Sequence, residues 1–398
     1  MSDSVALPLY MRRSGFDPAP ELSEFRDGEG VRRMSTPFGF DAWMVTRFAD
    51  VRTVLSDAER FSNARLMSLR PAEAPELSDE ELAAMRAGNL LAFDPPEHTR
   101  LRRMLTAEFT VRRMRRLEPR IRDIVSEHLD AMERGGPPVD LVSAFALPIP
   151  SLVICELLGV PYADREDFQR RSSRMLDMSE PVEERMAVNQ ESRAYMAGLV
   201  ARAQADPGED LLGMLVREHG GDVTADELIG IGGLLLLAGH ETTSNMLALG
   251  TLALLRHPDQ LELLRKEPER IDVAVEELLR WLSIVHSGSI KVTTTEVELA
   301  GRRIPAGELV MCALPAANRD PELVADPDRL DIGRDDLGHV AFGHGVHHCL
   351  GAPLARMEMR IAFPALLERF PGLREAGAGT DFRSHHVVYG LRSLEVAW

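Results

Sequence analysis

Residues 342–351 read FGHGVHHCLG: three glycines, three histidines and one cysteine within one short stretch, leading into a helical pattern that runs to about Phe370. The cysteine therefore stands at a helix N-terminus, where free backbone N–H groups and the helix dipole stabilise a thiolate. Such a sulfur is reactive or metal-bound. The plainer alternative is a free cysteine buried at a helix start, a common fate for this residue. Zinc is a third reading, because His344, His347, His348 and Cys349 cluster. The spacing does not match C-x-x-C…H-x-x-x-H, and no second cysteine lies nearby.

Outward from this loop, the clearest element begins at Thr224. Thr224-Ala-Asp-Glu227 is a capping box. An apolar pattern then runs to Leu255 and stops at His257-Pro258. At 1.5 Å per residue it spans ~48 Å. It is Leu-rich on nearly every face, so most of it should be buried. Upstream, Ala42–Thr46 reads as a short strand and Phe48–Leu55 as a short helix. Residues 63–92 read as a long polar surface loop with one weak helix. Helical patterns follow at about 97–134, 151–157, 164–176 and 182–204. After the long helix, a helix near 272–282 precedes strand character over 289–314, turned back on itself near Gly301. Residues 331–349 are irregular, and Pro364 should kink or break the final helix. The expectation is a mainly α chain with small β-sheets, one domain over 1–398.

Composition narrows the function. With 46 Lys+Arg against 63 Asp+Glu the formal charge is −17, which argues against general nucleic-acid binding. Only Cys155, Cys312 and Cys349 are present, too few and too odd for a disulfide framework, so a reducing compartment is expected. The first twenty residues lack an apolar stretch of signal-peptide length, and Ile229–Gly239 is far short of the roughly 20 residues that span a bilayer. A cytoplasmic protein without a membrane or nucleic-acid partner is the reading.

A single thiolate is also the axial ligand that pushes electron density onto haem iron and favours O–O cleavage. Phe342-x-x-Gly345-x-His347-x-Cys349-x-Gly351 resembles the haem loop of the cytochrome P-450 family, closest to its soluble bacterial members. Four further segments agree in the family's order. Ala238-Gly-His-Glu241-Thr242 is similar to the oxygen-binding bend of the family's central helix, here 224–256. Glu277-Leu-Leu-Arg280 resembles its E-x-x-R motif; the same spacing occurs elsewhere in this chain, but only this copy falls between the central helix and the β segment. Pro327-Asp-Arg329-Leu330 resembles the segment whose arginine completes a charge triad with that pair. Asp94-Pro-Pro-Glu97-His98-Thr-Arg100-Leu-Arg102 resembles the start of the helix beside the haem, and His98 and Arg102 at i and i+4 share a face.

The resemblance implies a P-450 fold around a buried haem b. Cys349 would be the iron ligand, with His98, Arg102, Ala238, Lys291, Phe342, His347 and Gly351 against the cofactor. Lys291 stands where such members usually carry an arginine, and Leu330 where they carry an aromatic residue. Glu241 and Thr242 would be the acid–alcohol pair that relays protons. Glu277, Arg280 and Arg329 would form the structural triad. The implied activity is a monooxygenase that hydroxylates or epoxidises a bulky, largely apolar small molecule of polyketide, macrolide, terpenoid or steroid type. It would use O2 and electrons from a ferredoxin with its reductase, and act as a monomer. Segment 63–93 would be the access loop and 342–351 the haem-thiolate loop. Leu91, Leu234, Ala238, Ile284, Val285 and Val388 would line the substrate pocket. A haem sensor, a peroxide-driven enzyme and a zinc protein are the competing classes. Between Arg100 and Arg122, nine arginines crowd a chain that is acidic overall, which suggests a docking face for an acidic electron donor.

Overall fold

The computed structural model describes residues 7–36, 40–68, 78–334, 338–377 and 379–398. Its axis is the long helix read from the sequence. The Thr224 hydroxyl accepts from Glu227 N–H at 3.2 Å, and the Glu227 carboxylate accepts from Thr224 N–H at 2.8 Å. The helix runs over Ala225–Arg256, 32 residues, and stops at His257, since Pro258 cannot continue it.

Among the helices that precede this axis are α1 (Phe48–Ser56), α2 (Asp79–Arg86), α3 (Glu97–Thr106), α4 (Val111–Gly135), α5 (Pro148–Leu158), α6 (Arg165–Leu176) and α7 (Val182–Ala205); the axis itself is α8. The helical pattern over 97–134 is thus two helices. The break at 107–110 sinks Glu108 and Phe109 into the interior. Beyond α8 come α9 (Ile271–Leu282) and α10 (Ala352–Arg369). The last helix continues through Pro364 instead of breaking there.

Five short strands form the main sheet: β1 (Val31–Ser35), β2 (Asp41–Val45), β3 (Phe61–Ser62), β4 (Ser289–Thr293) and β5 (Leu309–Cys312), in spatial order β1-β2-β5-β4-β3. Between β4 and β5 the chain makes a hairpin, Val297–Leu299 with Arg302–Ile304. Ala300 and Gly301 at its tip have φ of 49° and 72°, the left-handed pair that a tight hairpin turn requires. Segment 63–93 is described over 63–68 and 78–93. Ser78 and Glu81 cap α2 reciprocally, and the segment closes on α8 through two glycines. A Cβ on Gly88 would lie 1.9 Å from Glu227 O, and one on Gly230 would lie 1.8 Å from Ala87 O. Residues 69–77 of the expected access loop lie outside the described residues. Among those described, no helix is long and apolar enough to cross a membrane.

The E-x-x-R pair is buried completely, both side chains at 0% exposure. Arg280 grips Glu277 with two bonds, 2.7 and 2.9 Å, and gives its remaining N–H groups to the carbonyls of Asn318, Pro327 and Arg329. Glu277 Oε1 also accepts from Asp331 N–H at 2.9 Å and lies 3.3 Å from Arg334 Nε. This corrects the expected triad. Arg329 offers only its carbonyl; its side chain is 61% exposed and points to Asp331. Segment 327–330 turns its carbonyls inward to Arg280, which sends the Arg329 side chain out. Arg334, 11% exposed, fills the third place and also donates to the Ala325 and Asp326 carbonyls.

Breaking a buried ion pair costs about 3–5 kcal/mol, whereas exposed sites usually change stability by about 0.5 kcal/mol or less. Arg280→Ala should fall in the first range by denaturant unfolding and Arg329→Ala in the second. Arg334→Ala should cost clearly more than Arg329→Ala, and equal costs would return Arg329 to the triad.

Candidate functional site

The glycine-rich loop is a compact series of turns. Gly343 N–H bonds Val340 O, His348 N–H bonds Gly345 O and Cys349 N–H bonds Phe342 O, at 2.9, 3.0 and 2.9 Å. Gly343 and Gly345 both take φ near 71°, so glycine is required by conformation. Gly345 is also required by space: a Cβ there would lie 2.5 Å from Leu55 O at the end of α1. The loop delivers Cys349 to the start of α10.

Cys349 is exposed, while Cys155 and Cys312 are buried. The protein around its thiol nevertheless raises its pKa, desolvation being the largest influence. Hydrogen bonds from the Gly351 and Ala352 backbone and the charges of Arg102 and Arg356 act the other way, favouring thiolate. Cys155 and Cys312 lack comparable support, and burial pushes each up to about 12. Of the three cysteines, Cys349 alone is both accessible and held by donors.

Beside it, four nitrogen-bearing side chains converge from three elements: His98 and Arg102 on α3, Lys291 on β4 and His347 on the loop. The His98 and His347 rings lie 4.3 Å apart between centroids. Neither nitrogen of either ring has a hydrogen-bond partner. His98 is 1% exposed and Lys291 2%. Burial, then the Lys291, His98 and Arg102 charges, pushes His347 down to about 3. His98 is lowered by burial, Arg102 and Lys291, and Lys291 is lowered by burial. The acid that bears on both His98 and Lys291 is Asp94. It is already engaged by the Ser62 hydroxyl and the backbone N–H groups of Asn63 and Ala64. Buried polar groups without partners are rare in native proteins. This cluster therefore has the chemistry of a receptor for an anionic group with several acceptor oxygens. Carried on a flat macrocycle whose metal Cys349 could bind, the two carboxylates of haem b fit that description.

On α8, Ala238 is exposed although Leu236 and His240 on either side are buried. At Gly239 a Cβ would lie 2.7 Å from Ile154 Cδ1, so its small size serves the packing of α5 on α8. The Thr242 hydroxyl donates to Ala238 O at 2.8 Å. Glu241 is 2% exposed and forms an ion pair with Arg383 at 3.0 Å. No pattern in the sequence marks Arg383, which lies 142 residues from its partner. Glu358 on α10 was also not singled out. It is 1% exposed with Oε2 unpartnered, and burial raises its pKa well above the usual carboxylate range.

The expected pocket residues come together in part. Val285 and Val388 form a β-bridge, and Tyr389 N–H donates to Ile284 O at 2.8 Å. Ile284 and Val388 are nearly buried, Leu234 is half-buried, and Leu91 is 55% exposed. A groove of about 920 Å³ along α3, lined by Thr99, Arg100 and Arg103 among others, includes none of the candidate site residues. Among the described residues, no group of three or more His, Cys, Asp or Glu side chains could hold a metal ion, which disfavours the zinc reading.

Comparison with known proteins agrees with this geometry. The family model described as Cytochrome P450 matches residues 182–373. The chain is 49% identical to Cytochrome P450 FAS1 of Rhodococcoides fascians, over 100% of both chains. It is 44% identical to pentalenic acid synthase of Streptomyces avermitilis, covering 100% of this chain and 98% of that one. The solved structure of CYP105P1 in complex with filipin I superposes with a TM-score of 0.91 at 40% identity, covering 100% of this chain and 99% of that one. The class is that of the haem-thiolate monooxygenases. The chain belongs to the cytochrome P450 family.

An unpaired buried cation is costly, and replacing buried charge with apolar side chains often stabilises a protein by about 1–4 kcal/mol. Lys291→Met should therefore raise the unfolding midpoint of the haem-free chain, measured by circular dichroism against wild type. A lowered midpoint would show that Lys291 already has a partner.

Proposed function

We propose that Cys349 is the axial thiolate ligand of haem b, and that His98, Arg102, Lys291 and His347 hold its propionates. Phe342, Ala238 and Gly351 lie against the ring. The enzyme, a single domain over 1–398 acting as a cytoplasmic monomer, hydroxylates or epoxidises a bulky, largely apolar natural product of polyketide, macrolide, terpenoid or steroid type. The observation that carries the assignment is the juxtaposition of an accessible cysteine, hydrogen-bonded from Gly351 and Ala352, with two histidines whose ring nitrogens have no partner and the cations Arg102 and Lys291. Bound there, haem supplies dioxygen activation and transfer of one oxygen atom to the substrate.

The protein's own residues then have separable tasks. Thr242, tethered to Ala238 O, keeps lone pairs to accept a hydrogen bond from water, and with Glu241 beside it relays protons. Ile284, Val285 and Val388 give an apolar wall held by backbone pairing, with Leu234 and Ala238 from α8. Leu91 is too exposed to be a fixed wall and contributes as part of the access segment. A relative named for pentalenic acid and a neighbour solved with filipin I support the natural-product reading. Three free cysteines, two of them buried, suit a reducing compartment.

The test of the ligand is Cys349→Ser. It should abolish the thiolate-type carbon-monoxide difference spectrum of the reduced protein, while Cys155→Ala and Cys312→Ala retain it. A retained spectrum in the Cys349 variant would overturn the assignment.

Electrons come, on this reading, from an acidic ferredoxin docking near α3 and α4, since Arg102 lies close enough to bear on Cys349. Much of the arginine crowding is neutralised: Arg100 pairs with Glu97 and Glu227, Arg120 with Glu156 and Arg122 with Glu118. The side chains of Arg112 and Arg113 lie outside the described residues. Arg103, Arg115 and Arg116 are exposed, with no carboxylate partner among the described residues. Arg115→Glu with Arg116→Glu should slow reduction by ferredoxin in stopped flow, most at low salt. Equal rates across ionic strength would move the docking face elsewhere.

A further inference from the structure

The end of α9 is capped from a distant part of the chain. The Ser283 N–H closes the last helical bond, to Leu279 O at 3.1 Å. Beyond it an α-helix leaves four carbonyls without partners of its own, here those of residues 280–283. The Ser283 hydroxyl donates to Arg280 O at 2.8 Å. Arg319 serves Trp281 O from Nε and Nη2, at 3.2 and 3.0 Å. The last two carbonyls belong to Arg13. Its Nη1 donates to Leu282 O at 2.8 Å and its Nη2 to Ser283 O at 2.6 Å, and Nη1 also reaches Phe16 O at 3.1 Å. One guanidinium from the start of the chain thus closes a helix 269 residues away.

Ser283 turns the chain out of α9 and into Ile284 and Val285. Its φ is 40°, a left-handed conformation that is costly for a residue with a Cβ. Asn318 Nδ2 steadies the turn by donating to Ser283 Oγ at 2.6 Å. The facing segment is joined to 284–286 by Tyr389 N–H to Ile284 O at 2.8 Å, by the bridge between Val285 and Val388, and by His286 Nε2 against His386 O at 2.6 Å. Tyr389 is also where that segment meets Arg13. The guanidinium carbon lies 4.6 Å from the centre of the Tyr389 ring, and the Tyr389 hydroxyl donates to Gly15 O at 2.6 Å. Phe16 packs on Trp281 of α9 at 5.1 Å between ring centroids, and Phe382 stacks on Tyr389 at 5.4 Å. Residues 13–16 therefore hold the end of α9 and the 382–389 segment at once.

We propose that Arg13 is a positioning residue that sets how the two segments of the apolar wall, Ile284–Val285 and Val388, lie against each other, and so decides how well the pocket holds a bulky ligand. Backbone bonds between the segments fix their register. Arg13 adds a planar fork on the carbonyls of 282 and 283 and a stack on Tyr389, which fix the angle at which the first segment leaves α9 and the place where the second meets it. Without the fork, Leu282 O and Ser283 O lose their donor. The turn at Ser283 then keeps its own hydrogen bonds and Asn318, its strained φ can relax, and Ile284 and Val285 move with it. A small ligand that does not reach the wall is indifferent to that movement; a large apolar one loses contact area. The consequence for binding rests on the assignment of Ile284, Val285 and Val388 to the pocket, whereas the clamp itself does not.

Two measurements on the haem-loaded protein separate these. Amide hydrogen exchange reads the clamp. Arg13→Gln should speed exchange at Ser283 and Tyr389 by about tenfold, the equivalent of one lost hydrogen bond to a charged group. The amides of Ile124 and Val125, deep in α4, should not change. Arg13→Lys, which keeps the charge but not the fork, should recover part of the protection. Unchanged exchange at Ser283 and Tyr389 in Arg13→Gln would overturn the clamp. Spectral titration reads the wall, with imidazole as the small probe and phenylimidazole as the large one. In Arg13→Gln, phenylimidazole should weaken by about fivefold or more relative to imidazole, the usual lower bound of site-to-site coupling. A general loss of stability would weaken both probes alike and leave their ratio unmoved, which counts against the proposal. Val388→Ala, a change in the wall itself, should move the ratio in the same direction. If Val388→Ala moves it and Arg13→Gln does not, the pocket stands and the role of Arg13 falls. If neither moves it, the pocket assignment falls and takes that role with it. If Arg13→Gln alone moves it, the role stands and Val388 leaves the wall. Should Arg13→Gln not take up haem, Tyr389→Phe, which removes only the hydroxyl bond to Gly15 O, should still weaken phenylimidazole relative to imidazole, and an unmoved ratio there would overturn the proposal.

Discussion

The bidentate grip of Arg280 on Glu277 is the constraint from which the proximal half of this molecule follows. Both charges are fully buried, so each must be satisfied or the fold loses several kcal/mol. α9 offers the pair on one face, at i and i+3. Everything else that satisfies it comes from 318–334, an irregular stretch that has no ladder of its own to define it. Carbonyls at 318, 327 and 329 are drawn to Arg280, and the N–H of Asp331 and the side chain of Arg334 to Glu277. A chain without regular structure is thereby given one path. That path ends a few residues before the cysteine loop, and Asn318 extends it by accepting from Val340 N–H at 2.8 Å. The ion cluster thus sets the backbone that leads into the loop bearing the sulfur.

A second constraint runs the other way and costs stability. His98, Arg102, Lys291 and His347 are brought together by a helix, a strand and a loop that are far apart in sequence, with little counter-charge among them. Folding alone gains nothing from such a cluster: burial and mutual repulsion depress the basicity of both histidines and burial that of the lysine. Its persistence makes sense only if an anion completes it, so binding energy there is also folding energy. The same reasoning separates this cluster from Glu276, where Arg356 and His339 are neutralised by a carboxylate on α9 and no ligand is called for.

What could be read from the sequence divides along physical lines. The long helix was legible to within a residue, because a capping box and a proline are local signals and 32 residues of apolar pattern admit little else. The cysteine loop was legible because glycines with positive φ and a helix start are also local. The triad was half legible: i and i+3 on one helix can be paired by inspection, but which arginine returns to them depends on whether 327–330 turns its carbonyls or its side chains inward. Arg329 was the near choice and Arg334 the actual one. Arg383 was not legible at all, since its three partners lie on three elements and nothing in the local pattern of 381–388 distinguishes it from a solvated arginine.

The substrate side is where legibility ends, for a reason built into the fold. The proximal side is fixed by charge and backbone conformation, which tolerate few alternatives. On the proposed assignment, the distal side would be assembled from Leu234 and Ala238 on α8, Ile284 and Val285 beyond α9, and Val388 near the C-terminus. These are apolar groups at the ends of elements, and they meet through single backbone bridges such as Val285 with Val388. Apolar contact is not directional, so many side chains of similar volume would serve equally well to fold the chain. The polar features on this side, Glu241, Arg383, Ser173 and His386, bond one another. They leave the shape of the apolar wall to residues that folding hardly constrains. A family that keeps one chemistry and changes its substrates needs that separation between a rigid, charge-locked proximal half and an apolar distal half free to vary.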